Sequence, residues 1–323
     1  MTLECRAEVL KLARLLDAAP GRLDYLERLD AADVRLLRER ATVSLYDEDR
    51  RFARVALASR IPPAQATAWI AQHLFGALLC ARITGLLETR RAVDLAERMP
   101  AEFLADLASQ LDPRRAREII LALPPWLIGE VAAVLCRREE YIAMGRFVGH
   151  MTDGALRAAF RVIDDASLLR ISYFVEEKDQ LDHVVGLLST ARVRGAIRAA
   201  TDAGLWPQAF DLLTRVSDER SGELADLTAQ EDDRVIEGLV RAAQQERLWE
   251  VVLPVARHMS EEGRRRFARL PALHEPPVLV ALVDAAVARD LLSDLLPLAS
   301  LLPPAARVVI ADHAPHALRG PAS

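Results

Sequence analysis

The sequence predicts an all-α protein built as an α-α superhelix (solenoid) of short helices. The tetrad Ile-Arg-Ala-Ala at residues 197–200 returns as Val-Arg-Ala-Ala at 240–243 and as Val-Asp-Ala-Ala at 283–286, so successive copies are 43 residues apart. An earlier copy, Leu-Arg-Ala-Ala at 156–159, begins 41 residues before the first. Apolar residues between the copies follow helical spacing, and a fixed period of this length is typical of stacked helical units.

The composition agrees with a packed helical array. Hydrophobic residues make up 51% of the 323 residues, which is enough to bury a core and too much for a disordered chain. Repeat arrays grow by adding units, so a chain of this length does not require separate globular domains, and one continuous solenoid is expected. Lys occurs only at Lys11 and Lys178, and this Arg-rich composition is typical of a GC-rich bacterial genome.

The net charge argues against one broad class of function. The formal charge is −5 and the isoelectric point is about 5.9, whereas dedicated nucleic-acid binders carry a strong basic excess. Nucleic acid is therefore not an expected partner.

Residues 1–90 are predicted to form an N-terminal helical region. An apolar stripe in the first helix is followed at 19–21 by Ala-Pro-Gly, a typical helix stop. Two further helices are expected over 52–61 and 64–87, because a Pro-Pro pair separates them. The charged segment 45–51 is the expected exposed turn.

Residues 91–161 are predicted to form short helices that begin at prolines. The stretch Leu-Ala-Glu-Arg-Met-Pro-Ala-Glu-Phe-Leu-Ala-Asp-Leu at 95–107, followed by Leu-Asp-Pro-Arg-Arg-Ala at 111–116, resembles the cytoplasmic N-terminal domain of MgtE-type magnesium transporters. The flagellar motor switch protein has a similar helical domain. The resemblance covers about residues 90–135 and implies a right-handed superhelix of short helices used in regulation or assembly. In the transporter family this domain senses magnesium, but no metal ligand is carried over to this chain.

Residues 162–314 are predicted to form the regular repeats, each with three helices. The first helix of one unit is expected over 205–216, where apolar residues form a broad stripe. The second helix would follow Ser217 in one unit and Ser260 in the next, because Ser is a preferred N-cap. The third helix carries the tetrad. The tail at 315–323 contains Pro and Gly and is expected to fray.

The tetrad arginines are the candidate partner-binding residues. Arg157, Arg198 and Arg241 would occupy equivalent positions on successive helices, and equivalent positions in a solenoid form a row along one face. A row of guanidinium groups can bind phosphates or a partner's carboxylates, because Arg presents forked donors. The alternative is a solvated row paired with nearby Asp or Glu, and Asp284 in the last copy favours that interpretation.

Two tryptophans recur at one position of the repeat. Trp206 and Trp249 are 43 residues apart, and we expect both to pack in the core, because Trp is highly buried on average. A direct contact with a ligand is the alternative interpretation.

No catalytic residue, metal site or cofactor is predicted. The cysteines Cys5, Cys80 and Cys136 have neither disulfide nor zinc spacing, and Cys80 is expected to act as a small buried hydrophobe. His313 and His316 are at a spacing that metal ligands also use, but no third ligand is near them in sequence. Paired acidic residues fall at predicted turns, and no phosphate loop or nucleophile motif is present.

A cytoplasmic protein without membrane insertion is expected. The N-terminus is charged from Glu4 onward, unlike a signal peptide. The most apolar stretches are shorter than the roughly 18 uncharged residues that a membrane helix needs.

The sequence favours a non-catalytic binding or scaffold protein. A solenoid presents a long concave surface, so a protein or peptide partner in a regulatory role is the first expectation. The first alternative is a regulatory protein that holds a small apolar or anionic molecule inside the superhelix. The second is a helical-repeat enzyme that acts on nucleic acid.

Overall fold

The computed structural model describes residues 3–19, 21–46, 52, 56–57, 62–177 and 180–317. The chain divides into two compact units, Met1–Lys178 and Asp179–Ser323. Throughout the described residues the regular structure is helical and no strand occurs, which confirms the predicted all-α class. Most of the helix predicted over 52–61 and of the turn predicted over 45–51 lies outside the described residues.

The first unit consists of short helices joined by tight turns. They are α1 (Leu3–Leu15), α2 (Ala31–Tyr46), α3 (Ala64–Ile70), α4 (Gly76–Thr84), α5 (Thr89–Ala96), α6 (Ala101–Gln110), α7 (Arg117–Ala122), α8 (Pro125–Arg137), α9 (Tyr141–Phe147), α10 (Asp153–Phe160) and α11 (Asp165–Tyr173), with short 3-10 segments at Asp24–Arg28 and Val148–His150.

Proline and small polar residues set the ends of these helices. α6 follows Pro100 and α8 begins with Pro125, positions where the missing N–H leaves no intrahelical bond unmade. Farther along, Thr152 accepts a hydrogen bond from the Ala155 N–H and Asp164 accepts one from the Ser167 N–H. These N-caps fix the starts of α10 and α11.

The helices of the first unit form two layers. In one layer α4, α6, α8 and α10 pack side by side, and in the other α3 packs against α5 and α5 against α7. The chain therefore changes layer at each connection between α3 and α8. Buried residues from both layers meet in one core, which includes Ala105, Ile120, Leu135 and Phe147.

The single helix predicted over 64–87 is interrupted, so that prediction is wrong in this respect. α3 ends at Ile70, a π-helical turn occupies Ala71–Phe75, and α4 starts at Gly76. Gly76 has a φ of +72°, which glycine adopts without steric cost. The apolar pattern runs through this segment without a break, so it could not reveal the change of direction.

The second unit also consists only of helices within its described residues. They are α12 (Leu181–Gly186), α13 (Thr190–Asp202), α14 (Trp206–Leu213), α15 (Asp218–Ala229), α16 (Asp233–Gln245), α17 (Trp249–His258), α18 (Glu261–Ala268), α19 (Pro276–Ala288), α20 (Leu292–Ala299) and α21 (Pro304–Ala317), with a 3-10 segment at Pro271–His274.

Helix boundaries in the second unit follow the sequence period. α13, α16 and α19 begin at residues 190, 233 and 276, and α14, α17 and α20 begin at 206, 249 and 292. α13 packs against α16, α14 against α17 and α15 against α18, so helices one period apart are in contact. As predicted, Ser217 and Ser260 cap the helices that follow them by accepting bonds from the N–H groups of Arg220 and Gly263.

Trp206 and Trp249 pack in the core of the second unit, as predicted. Both are buried, and the indole N–H of Trp206 donates to the Thr201 hydroxyl at 3.1 Å. The indole N–H of Trp249 donates to the Gln244 side-chain carbonyl at 2.8 Å. Each tryptophan therefore reaches five residues back along the chain and closes the turn between two helices.

Two of the predicted segment boundaries do not coincide with boundaries in the structure. Residue 162, where the regular repeats were expected to begin, lies in the first unit. The tail predicted over 315–323 is helical as far as Ala317, and residues 318–323 lie outside the described part of the chain.

Candidate functional site

A cavity of about 380 Å³ lies between the two helical layers of the first unit. Its lining extends from Pro62 to Ile171, and each helix from α3 to α11 contributes to it. This volume falls within the range of small-molecule sites in proteins, roughly 300–1,000 Å³.

The cavity wall is almost entirely hydrocarbon. Apart from Thr67, Cys80 and Thr84, each described lining residue is an aliphatic, aromatic, proline or methionine residue, and none is charged. Alanines from both layers line this space, among them Ala92 in α5 and, in the other layer, Ala108 in α6 and Ala132 in α8. Larger side chains at these positions would fill it, so the cavity follows from the local choice of small apolar residues.

An empty space of this size is costly in a protein interior. Cores are packed as densely as organic crystals, and cavity cost rises by about 24 cal/mol per Å³. A hydrocarbon-lined space of this volume leaves many apolar atoms of the wall without packing partners, and an apolar ligand would supply those contacts.

The π-helical turn brings a lining residue of the cavity to the surface. Phe75 lines the cavity and is also 42% exposed. Trp69, Leu74 and Leu78 nearby along the chain are exposed large apolar residues, and the Trp69 ring stacks on His73 with centroids 4.8 Å apart. A π-helical turn frequently marks a functional site. We call these four residues, Trp69, Leu74, Phe75 and Leu78, the apolar rim.

The few polar groups in the wall are satisfied by the protein. The Thr84 hydroxyl donates to the Cys80 carbonyl at 2.7 Å, and the Thr67 hydroxyl lies 3.2 Å from the Pro63 carbonyl. The Arg91 guanidinium donates to Thr67 Oγ1 at 3.2 Å. Burial raises the pKa of the Cys80 thiol to about 11, so this residue is an uncharged thiol at neutral pH. Cys80 was predicted to be a small buried hydrophobe, and in the structure it is half-buried and lines the cavity.

The three predicted partner-binding arginines have different surroundings. Arg157, in α10, and Arg241, in α16, are exposed and form no ion pair with a described residue. Arg198, in α13, is bonded through Nε to Oε2 of Glu231 at 2.7 Å. Its binding role stays a prediction, and the ion pair agrees with the alternative in which this arginine pairs with a neighbouring carboxylate.

Glu231 is the buried partner in that ion pair. Burial disfavours its charged form, but hydrogen bonds from Arg198 and Arg194 outweigh this and lower the pKa of Glu231. Arg194 Nη1 lies 2.7 Å from its other oxygen, so two cations hold one carboxylate. Arg198 therefore helps to join α13 to the turn before α16.

The described residues contain no group of three or more His, Cys, Asp or Glu placed to bind a metal. His313 Nε2 lies 2.8 Å from the Asp284 carboxylate, which occupies the tetrad position of Arg198 and Arg241. The side chain of His316 is outside the described part of the chain.

Sequence reasoning did not find the cavity. The one available signal was Gly76, a residue that can end a helix, inside an apolar stretch that otherwise fits one continuous helix. The apolar pattern identifies which faces are buried, but not how completely opposing faces fill the space between them.

Among the described helices, none combines the length and the apolar character needed to cross a membrane. Comparison with protein-family models, curated proteins and solved structures found no match for this chain. The resemblance to the MgtE N-terminal domain therefore stays a prediction.

Proposed function

We propose that the first unit binds an apolar small molecule in the cavity between its two layers, and that the protein is a regulatory small-molecule-binding protein. The observation that carries the proposal is a cavity of about 380 Å³ without a charged residue among its described lining. Of the apolar and anionic ligands that the sequence leaves open, this wall favours the apolar one. A buried anion would lack a cation in the wall and would lose its hydration.

The apolar rim supports an entry route. A ligand has to enter the cavity from the surface, and Phe75 both lines the cavity and is exposed to solvent. Exposed apolar residues grouped on a surface are typical of ligand-binding grooves and interaction sites. The proposed path therefore begins at the π-helical turn and continues between the layers.

As a second proposal, the protein is a scaffold that binds a protein or peptide partner, and one observation supports it. Arg157 and Arg241 are exposed and have no described ion-pair partner, so their guanidinium groups are accessible to a protein or peptide. We also propose that the units of 43 residues stack as a solenoid in a cytoplasmic protein. The equal spacing of the helix starts and the contacts between helices one period apart support that arrangement.

The decisive experiment fills the cavity. The uncharged fluorescent probe N-phenyl-1-naphthylamine should bind the full chain with enhanced fluorescence. Ala132→Phe places a ring into the space between the layers and should weaken probe binding at least about tenfold, because it removes volume that the probe needs. Ala108→Leu should weaken binding less, since it adds less volume.

A matched control makes the same chemical change on the surface. Ala122 is exposed at the end of α7 and does not line the cavity, so Ala122→Phe should leave probe binding unchanged. Thermal unfolding checks the cavity itself: Ala132→Phe should keep or raise the Tm, whereas overpacking a filled core costs about 1–3 kcal/mol. A wild-type protein that does not bind the probe, or equal binding by wild type and both cavity variants, would refute the proposal.

A further inference from the structure

The polar side chains of the cavity wall belong to only two helices. Thr67 belongs to α3, and Cys80 and Thr84 belong to α4, the two helices on either side of the π-helical turn. The described lining from Leu87 to Ile171 contains only apolar side chains. We call the part of the wall formed by Thr67, Cys80 and Thr84 the polar end; it belongs to the two helices that flank the π-helical turn.

The threonine hydroxyls at the polar end can still accept hydrogen bonds, but their donors are already used. A hydroxyl has one donor and two acceptor lone pairs. The single donor of Thr84 is used on the Cys80 carbonyl, and that of Thr67 on the carbonyls at Pro62 and Pro63. What these hydroxyls retain is acceptor capacity: two lone pairs on Thr84, and one on Thr67 beside the bond from Arg91.

A carboxylate or phosphate ligand does not fit this end. An anion only accepts hydrogen bonds, and both threonine donors already have backbone partners. Arg91, the cation that bonds to Thr67, is not a lining residue of the cavity; its Nη2 is 2.6 Å from the Pro62 carbonyl and its Nη1 is 3.6 Å from the Asp94 carboxylate. A ligand that donates a hydrogen bond, in contrast, would find acceptors that are in place.

We infer that the ligand is an uncharged lipid alcohol, with its hydroxyl donating to Thr84 or Thr67 and its hydrocarbon chain extending between the layers. The inference rests on the proposed function and names the ligand class of that site. The threonine oxygens can accept a hydrogen bond from a hydroxyl, and the other described lining residues offer no polar side chain to a second polar group.

The test compares ligands that share one chain length. Decanol, decanoate and decane are added to the full-length protein loaded with N-phenyl-1-naphthylamine, and displacement of the probe is measured. Decanol should displace the probe at a concentration about five- to tenfold lower than decane, the range expected for one net hydrogen bond. Decanoate should be the weakest competitor.

Isosteric variants locate the hydroxyl. Thr84→Val together with Thr67→Val keeps the shape of the wall but removes its acceptors, so decanol should fall to the level of decane while decane is unchanged. The matched control is Thr42→Val in α2. Thr42 also donates to the carbonyl four residues before it, but it does not line the cavity, so the preference for decanol should persist.

The outcomes separate the two claims. If neither the probe nor decane binds the wild-type protein, the proposed function fails. If the probe binds but decanoate competes better than decanol, and Arg91→Leu removes that advantage, the site is anionic and the inference is overturned. It is also overturned if decanol keeps its advantage in the double threonine variant.

Discussion

Glu8 is a buried carboxylate paired with three cations in the first unit. Its side chain is 3% exposed, Lys11 Nζ lies 3.1 Å and Arg35 Nε 3.5 Å from Oε1, and Arg38 Nε lies 3.1 Å from Oε2. Arg38 also reaches Glu176 through Nη1 at 2.9 Å. These ion pairs join α1 and α2 to the segment that follows α11. One of the two lysines in the chain is thus buried at this position.

The electrostatics of Glu8 predict how stability depends on pH. Burial disfavours its carboxylate, but Lys11 and Arg38 outweigh that and lower its pKa. A carboxyl group whose pKa is lower in the folded state contributes stability above its unfolded pKa, about 4.3. That contribution is lost as the pH falls through the folded value. The free energy of unfolding, measured by urea titration, should therefore decrease steadily from pH 5 downward.

Removing the charge should reproduce the loss at neutral pH. Glu8→Gln leaves two buried cations without their shared partner, so the free energy of unfolding should fall by about 3–5 kcal/mol at pH 7. The variant should also lose part of the decrease below pH 5. Glu261→Gln is the matched control, since Glu261 pairs with Arg265 on an exposed helix face and should change stability by less than about 0.5 kcal/mol. Equal effects of the two substitutions would contradict this account.

At the scale of the helix, the 43-residue repeat includes a left-handed backbone conformation after equivalent helices. Gly204, Arg247 and Asp290 follow the ends of α13, α16 and α19, and their φ angles are +64°, +56° and +56°. The N–H group after each of these residues bonds back to a carbonyl of the preceding helix, as between Leu248 and Ala243. Glycine is the residue that adopts this left-handed cap without steric cost.

Replacing the non-glycine residues at these caps, Arg247 and Asp290, should change the free energy of unfolding. Arg247→Gly and Asp290→Gly should each raise the free energy of unfolding by about 0.5–1 kcal/mol, because a left-handed conformation costs other residues about 1–2 kcal/mol. Gly204→Ala should lower it by a similar amount. Urea denaturation of the three variants measures these shifts. A loss of stability in both glycine variants would show that Arg247 and Asp290 make contacts worth more than the backbone strain.

The repeat period predicted the helices of the second unit better than those at the start of the chain. The tetrad and the serine caps mark residues that are local in sequence, and local patterns decide where a helix begins and ends. The Glu8–Arg38 pair and the cavity depend on residues far apart in the chain. Alanine and leucine count equally as apolar in a pattern, yet Ala108 and Ala132 leave space that leucine would occupy.

At the scale of the molecule, the two units differ in how their interiors are filled. The first contains the cavity between its layers. In the second, Trp249, Phe210 and Ile236 are among the largest fully buried side chains. Large residues at repeated positions fill a core, whereas alanines along a cavity wall leave room for a ligand. The proposed binding activity therefore belongs to the first unit.

This assignment predicts where a ligand changes local stability. Because the cavity is lined by residues between Pro62 and Ile171, decanol at about 100 times its Kd should slow amide hydrogen exchange in α3 to α11 by up to about 100-fold. Helices α13 to α21 should exchange at unchanged rates. In Ala132→Phe, which fills part of the cavity and weakens binding at least about tenfold, protection should fall to about tenfold or less at the same decanol concentration. Protection confined to the second unit would place the ligand elsewhere, and equal protection of wild type and variant would show that decanol acts without entering the cavity.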